Sequence, residues 1–150
     1  MMMPQARPRR LVVLAMAFAM LWSVLPAAFL APSASASEPV VSDLVVRSIT
    51  VDPQTKVATV KGTVTCTGAN RLYLEVEVSQ TVGRLHTVYA YAQKRLECDG
   101  ERQRFSMRLI NYQGRLGAGE ATVRAFAAAC TRVECDTARF NEVLRVTNAN

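Results

Sequence analysis

Four cysteines have the widest chemical range of any residues in this 150-residue chain. Reduced, they can attack a substrate or bind a metal, and oxidised in pairs they form disulfides. They are Cys66, Cys98, Cys130 and Cys135. The C-x-x-C pair that is typical of many zinc sites does not occur in the sequence. We therefore expect two structural disulfides, with no metal site and no cysteine nucleophile.

Other catalytic groups are sparse. A nucleophile activated by histidine would depend on His86, because the chain has a single histidine. No G-x-S-x-G or H-E-x-x-H motif accompanies it, so we interpret His86 as a surface residue of a strand. Glu75 and Glu77 are a carboxylate pair of the kind that glycoside hydrolysis uses, but their alternation with apolar residues is typical of a solvated strand face. The sequence therefore predicts a non-enzymatic protein with no catalytic residues and no cofactor.

Acidic side chains gather near the cysteines in the sequence, at Glu97, Asp99, Glu101, Glu134 and Asp136. Carboxylates of this kind bind Ca²⁺ when a loop spaces them regularly. These five follow no such repeat, so we expect solvated turns and predict no metal site.

Aromatic residues favour binding as the function. Three tyrosines project from two neighbouring predicted strands, 71–80 and 84–93: Tyr73, Tyr89 and Tyr91. They lie opposite the apolar face if the alternating residues of the strand 84–93 are buried: Val88, Ala90 and Ala92. Basic residues accompany the tyrosines along the chain: Arg71, Lys94 and Arg95. Such rings can stack on sugars or meet an anionic polymer of the cell envelope; the alternative is that they cap an exposed sheet or pack at the core rim.

A second basic row is formed by Arg102, Arg104 and Arg108, which alternate with apolar residues. Cations on a strand face increase solubility and discourage pairing between sheet edges. The chain has no nucleic-acid-binding motif, so we predict no nucleic-acid partner.

The N-terminal 36 residues have the features of an export signal. Arg7, Arg9 and Arg10 form a positively charged start, and a long apolar run follows. Ala34-Ser35-Ala36 matches the small-residue cleavage site, which predicts a secreted domain over residues 37–150. An uncleaved membrane anchor is the alternative, because the apolar run approaches the roughly 20 residues that span a bilayer. Three of the six net positive charges belong to this segment.

The secondary-structure elements that carry these residues are predicted to be β-strands. Residues 57–66, 72–79 and 104–109 alternate strictly between apolar and polar side chains, which buries one face of each strand and exposes the other. We predict seven strands, at about 43–51, 57–67, 71–80, 84–93, 102–109, 120–130 and 138–147. Seven short strands in one domain favour an all-β, immunoglobulin-like antiparallel sandwich over a closed barrel.

Two segments are less regular. The alanine-rich run 118–131 fits a strand, with a short helix as the alternative. Gly114, Gly117 and Gly119 predict a looser loop before it.

Cysteine spacing permits three disulfide pairings. An antibody-like domain would join Cys66 to Cys130, but the only tryptophan of the chain, Trp22, lies in the export signal and is not available to pack on that bridge. Cys130 and Cys135 lie at a compact hairpin tip, where two cysteines can come within bridging distance. This favours 130–135 together with 66–98.

Several short segments resemble a group of small secreted actinobacterial proteins of unknown function. The segments are residues 62–68, Cys98-Asp99-Gly100, 128–130 and 135–138. Their sandwich is similar to the immunoglobulin-like fold of neocarzinostatin-type apoproteins. The resemblance spans roughly residues 49–146 and implies a fold. It implies no ligand, because the first disulfide loop of those apoproteins, which hold an enediyne chromophore in an open cleft, is much shorter than a 66–98 loop.

We therefore expect a secreted, non-enzymatic module that binds or interacts at the cell envelope or outside the cell, through a cell-wall polymer, a protein or a small apolar ligand. The alternatives are a small-molecule carrier of the neocarzinostatin type and an inhibitor that presents a disulfide-braced loop.

Overall fold

A computed structural model describes residues 37–150 of the chain. The predicted export signal, residues 1–36, lies outside the described residues. The strands are β1 (Val40–Val51), β2 (Ala58–Thr67), β3 (Arg71–Val82), β4 (His86–Glu97), β5 (Arg102–Gln113), β6 (Gly119–Cys130) and β7 (Cys135–Asn148).

Alternation of apolar and polar residues explains these strands. Along β3, Leu72, Leu74, Val76 and Val78 are buried while the residues between them are half-buried. The prediction of seven strands is confirmed, and the alanine-rich run is strand β6 rather than a helix. Several strands extend beyond their predicted ends, most of all β4 and β5.

Strand pairing closes the sheet into a barrel in the order β1-β2-β5-β4-β3-β6-β7, with β7 returning to β1. The β1–β7 pairing is parallel and the others are antiparallel. Two groups are paired along most of their length: the β1-β2-β5 group and the β3-β4-β6-β7 group. Two short junctions join them, namely Tyr89–Tyr91 of β4 with β5 and Ile49–Val51 of β1 with β7.

The expected sandwich is therefore corrected to a closed barrel. The physical reason lies in the strand ends, since β5 continues to Gln113 and there pairs with β4. On the other side, the carboxylate of Asp136 in β7 accepts a hydrogen bond of 2.7 Å from the backbone N–H of Val41 in β1. Both contacts lie beyond the alternating segments from which the sandwich was predicted.

Small aliphatic side chains fill the barrel interior, among them Ile49, Val60, Leu74 and Val123. One end is closed by the β5–β6 loop, whose Leu116 is buried although glycines surround it. The buried Gln80 side chain holds this loop, donating to the carbonyl of Gly117 at 2.9 Å and accepting from its N–H at 2.8 Å. The loop predicted to be loose is thus fixed to β3.

Candidate binding surfaces

Both predicted disulfides are present. Cys66–Cys98 joins β2 to the β4–β5 turn, and Cys130–Cys135 closes the β6–β7 hairpin. The N–H of Gly100 donates to the carbonyl of Cys66 at 3.0 Å, so the turn is also held by the backbone. No cysteine within residues 37–150 is free. The disulfides indicate folding in an oxidising compartment.

The residues considered for catalysis or metal binding have ordinary structural surroundings. His86 is exposed at the start of β4, where it pairs with Val82 across the hairpin. Glu75 accepts a hydrogen bond of 2.8 Å from the Tyr73 hydroxyl. Asp99 accepts one of 3.0 Å from the N–H of Glu101 within its turn. Within the described part of the chain, no group of three or more His, Cys, Asp or Glu residues could hold a metal ion.

Tyr89 and Tyr91 point outward from β4, because Val88, Ala90 and Ala92 between and beside them are buried. This part of the predicted pattern is confirmed. Both rings contact a third tyrosine, Tyr112 of β5. The Tyr89 ring stacks on it with centroids 5.8 Å apart, and the Tyr91 ring meets it edge-on at 5.6 Å. These three residues form what we call the tyrosine platform.

Tyr73 does not belong to the platform. It pairs with Arg95 across β3–β4, while Tyr91 lies four residues earlier along β4, roughly 13 Å away at strand spacing. Its hydroxyl is engaged by Glu75. The three tyrosines therefore share one outward face of β3 and β4, as the sequence predicted, but Tyr73 lies apart from the Tyr89 and Tyr91 pair.

Sequence reasoning missed Tyr112 because the predicted strand ended at residue 109. In β5 the register shifts between the pairs Tyr89↔Gln113 and Ala90↔Asn111, which leaves Tyr112 as the extra residue of a bulge. Bulges re-aim side chains, and here the bulge brings Tyr112 against both rings of β4. The sequence did carry a signal for a longer strand, because Ile110, Asn111 and Tyr112 continue the alternation of β5 almost as far as Gly114.

The platform is uncharged and partly open to solvent. Tyr112 is 53% exposed, and its neighbour Ile110 is 58% exposed. Partial burial, followed by the negative charge of Glu77, raises the pKa of the Tyr112 phenol above its ordinary value. Glu77 of β3 is thus the acidic group closest in effect to the platform.

A different surface lies on β3, β6 and β7, where acids and bases mix. A depression of about 500 Å³ is lined by residues that include Glu75, Glu77, Arg124 and Arg139. The Arg139 guanidinium lies 5.8 Å from the centroid of the Phe126 ring. The ring quadrupole attracts the guanidinium, and the carboxylates of Glu75 and Glu77 in the same depression balance the positive charge there.

A scan against family models finds none that matches the chain, and a search of curated proteins finds no match. No helix within residues 37–150 is long and apolar enough to span a bilayer. Neither comparison assigns a substrate or a partner to the chain.

Proposed function

We propose that this chain is exported and serves as a non-enzymatic binding module of the cell envelope, with the tyrosine platform as its glycan-binding face. The observation that carries this proposal is the cluster of Tyr89, Tyr91 and Tyr112 on the outward side of β4 and β5. The proposed ligand is a neutral stretch of an envelope polysaccharide.

Placement of the aromatic rings supports a binding role. The interior is packed with aliphatic side chains, so burial of these tyrosines is not needed to fill the core. Tyrosine offers a large, rigid contact area with two rotatable side-chain torsions and a polar tip, which makes it effective at interfaces. Exposed Ile110 enlarges the same patch, and clustered exposed apolar surface is typical of binding sites.

Ring chemistry favours a sugar as the occupant. The apolar C–H faces of a pyranose stack on aromatic rings, while its hydroxyls require hydrogen-bond partners at the edge. The platform supplies the exposed ring of Tyr112 with the half-buried rings of Tyr89 and Tyr91 beside it, and the Glu77 carboxylate lies next to Tyr112. The core of the described residues is a continuous cluster of mainly aliphatic side chains, which supports a surface site over the deep apolar pocket that a carrier of small molecules would need.

Export through a cleavable signal is part of the same proposal. The basic start, apolar run and Ala34-Ser35-Ala36 site support cleavage after Ala36. Two disulfides in the described domain agree with an oxidising destination outside the cytoplasm.

We further propose that the connectivity is immunoglobulin-like. In immunoglobulin domains, the first, second and fifth strands share one sheet while the third, sixth and seventh share the other. The pairings β1-β2-β5 and β3-β6-β7 follow that order, and β4 lies beside β3. In this arrangement, β4 and β1 each pair with strands of both sheets, through the short β4–β5 and β1–β7 junctions.

Co-sedimentation with envelope polysaccharide, stripped of protein and anionic polymers, tests the proposed function. The protein is recovered from the medium or periplasm of an expressing host, and its N-terminus is sequenced to test for a start at Ser37. We expect the wild type to sediment, and Tyr89→Ala/Tyr91→Ala and Tyr112→Ala to remain in solution. Tyr73→Ala is the matched control, because it removes a tyrosine from the neighbouring strand outside the platform.

Two outcomes would contradict the glycan proposal. One is failure of the folded wild-type protein to sediment. The other is an equal loss of binding in Tyr73→Ala and the platform variants. Circular dichroism of each variant distinguishes lost binding from lost folding.

A further inference from the structure

Positive charge converges on the outward side of the β1-β2-β5 group. Four cationic side chains line an open cavity of about 670 Å³: Arg47, Lys61, Arg102 and Arg104. No acidic residue from the described range 37–150 is among the residues that line it. We call this cavity the basic groove. It lies on different strands from the Glu75 and Arg124 depression, where charges of both signs meet.

Strand register brings these cations together. Across β2–β5, Arg104 faces Thr63 and Arg102 faces Thr65, so neither arginine has a carboxylate as its cross-strand partner. Opposite-charge pairs at such positions stabilise sheets, and polar neutral partners leave the cations uncompensated. The nearby Asp43 accepts a hydrogen bond of 3.4 Å from Thr65 and does not line the groove.

A bulge in β1 adds the fourth cation. The register shifts between the pairs Val46↔Gly62 and Ser48↔Lys61, which leaves Arg47 as the extra residue beside them. Gly62 permits this close approach, because a Cβ there would collide with the Val45 carbonyl and the Phe105 ring. The groove is thus built on backbone geometry and not on mobile loops.

Thr63 provides an independent observation. It belongs to the outward, polar parity of β2, yet it is only 6% exposed and lines the groove. Its Oγ1 has no hydrogen-bond partner within the described residues. Buried hydroxyls in native proteins nearly always have a partner, so an orphan hydroxyl beside several cations indicates a place for an acceptor oxygen from a ligand. Arg104 is the cross-strand neighbour of Thr63, so an anion bound by Arg104 would lie beside this hydroxyl.

The cation types define the ligand chemistry. Guanidinium groups present several donors in a plane and bind phosphate oxygens in a bidentate manner, while an ammonium acts as a point charge. Arg102 and Arg104 alternate on one strand, so their backbones are roughly 7 Å apart, and β2 lies about 5 Å to the side. A chain of successive phosphates can match cations spread over these distances one by one, whereas a single small anion would require all four side chains to converge on one point.

We propose that the basic groove is a binding site for a linear phosphate polymer. The polymer follows β5, with Arg102 and Arg104 on its phosphates, Lys61 and Arg47 along its other side, and Thr63 donating to one oxygen. Arg108 continues the row along β5 beyond the groove. This site is independent of the tyrosine platform and does not rest on the glycan-binding proposal.

Isothermal titration calorimetry with linear inorganic polyphosphate tests the proposal, with orthophosphate as the monomeric comparison. We expect polyphosphate to bind and orthophosphate to bind at least tenfold more weakly. Arg104→Gln and Lys61→Gln should each weaken polyphosphate binding about tenfold, the usual consequence of losing a hydrogen bond to a charged group. Arg132→Gln, at the exposed β6–β7 turn, is the matched control for loss of one positive charge and should bind like the wild type.

Thr63→Val separates a binding role from a structural one. Its melting temperature should be unchanged or higher, because the variant removes a buried polar atom that has no partner. Its affinity for polyphosphate should nevertheless fall. A lower melting temperature with unchanged affinity would assign Thr63 to the fold and remove it from the site.

Three results would overturn the proposal. The first is absence of polyphosphate binding. The second is an equal loss of affinity in Arg132→Gln and Arg104→Gln, which would indicate attraction by net charge alone. The third is equally tight binding of polyglutamate of matched charge or of anionic lipid vesicles, which would reject a phosphate polymer as the preferred ligand. Tyr89→Ala/Tyr91→Ala should retain polyphosphate affinity, so failure of this proposal and failure of glycan binding are distinguishable.

Discussion

The β1-β2-β5 and β3-β4-β6-β7 groups are built from the same alternation and differ in the charge balance of their outer faces. In the second group, Glu77 lies opposite Arg124, and Arg139 packs over Phe126. In the first, the arginines of β5 lie opposite threonines. Alternation requires the outer face of a strand to be polar, but it does not determine whether that face is positive, negative or neutral. The excess positive charge on the β1-β2-β5 group is therefore not needed for folding, which makes this face a candidate for binding.

The junctions between the groups are as informative as the faces. Cys66–Cys98 ties β2 of the first group to the turn that follows β4 of the second, whereas Cys130–Cys135 lies wholly within the second group. One bridge therefore holds the groups together, and the other fixes a hairpin.

The largest expected effect is the loss of stability when either disulfide is removed, and it should differ between the two bridges. Replacing Cys66 and Cys98 by alanine should lower the free energy of unfolding by roughly 3–4 kcal/mol, because the bridge spans 32 residues. Replacing Cys130 and Cys135 should lower it by about 2 kcal/mol, since that bridge spans 5 residues. Urea unfolding of both double variants measures the two values. An equal loss would contradict the larger effect that we expect from the longer loop of the Cys66–Cys98 bridge.

The next effect concerns the loop that carries the chain from the first group to the second. Gln80→Leu should lower the free energy of unfolding by about 1–3 kcal/mol, because the two hydrogen bonds between the buried Gln80 side chain and the Gly117 backbone are lost. Gln93→Leu, at an exposed position of β4, is the matched control and should stay within about 0.5 kcal/mol of the wild type. Thermal unfolding of both variants gives the comparison.

A smaller effect tests the charge balance directly. Arg124→Glu should destabilise the protein at low salt, because it places a second acid opposite Glu77. Arg104→Glu should raise the stability, because it inserts an acid among Lys61, Arg102 and Arg47. Each change should be below about 1 kcal/mol and should shrink in high salt. Changes of the same sign in both variants would reject the contrast between the two faces.

The smallest effect lies at the β4–β5 junction. The pKa of Tyr112 is raised in the folded protein, so its contribution to stability is complete below the unfolded value of 10.0 and is lost as the pH rises through the folded value. Tyr112→Phe should make the alkaline decline in stability less steep. Part of the decline should remain, because the hydrogen bond to Glu75 also raises the pKa of Tyr73. Melting temperatures between pH 8 and about pH 11 provide the measurement.

Local features of this fold were predictable from the sequence. Alternation in β2, β3 and β5 reports directly on which side chains face the core, and the short spacing of Cys130 and Cys135 indicates their pairing. Closure of the barrel was not predictable, because it depends on a few residue pairs between strands that are distant in sequence.

The candidate surfaces were predictable only in part. Tyr89 and Tyr91 were identified by their parity, but Tyr112 was missed because the predicted strand ended at residue 109, before the bulge that places it against them. Likewise, Arg102 and Arg104 were recognised as a row, whereas Arg47 reaches them through an irregular step in β1. The irregular backbone at Arg47 leaves no periodic signal in the sequence.

The parallel pairing between β1 and β7 also determines when the barrel can close during folding. Ile49 pairs with Val146, so the first strand finds its last neighbour only when the final residues of the chain are present. Contacts between such distant segments form slowly, since closing a long loop is entropically unfavourable. A chain that is still being synthesised, or is still passing through a narrow channel, therefore cannot complete the barrel and stays partly unfolded. The sheet closes only when β7 is present to pair with β1.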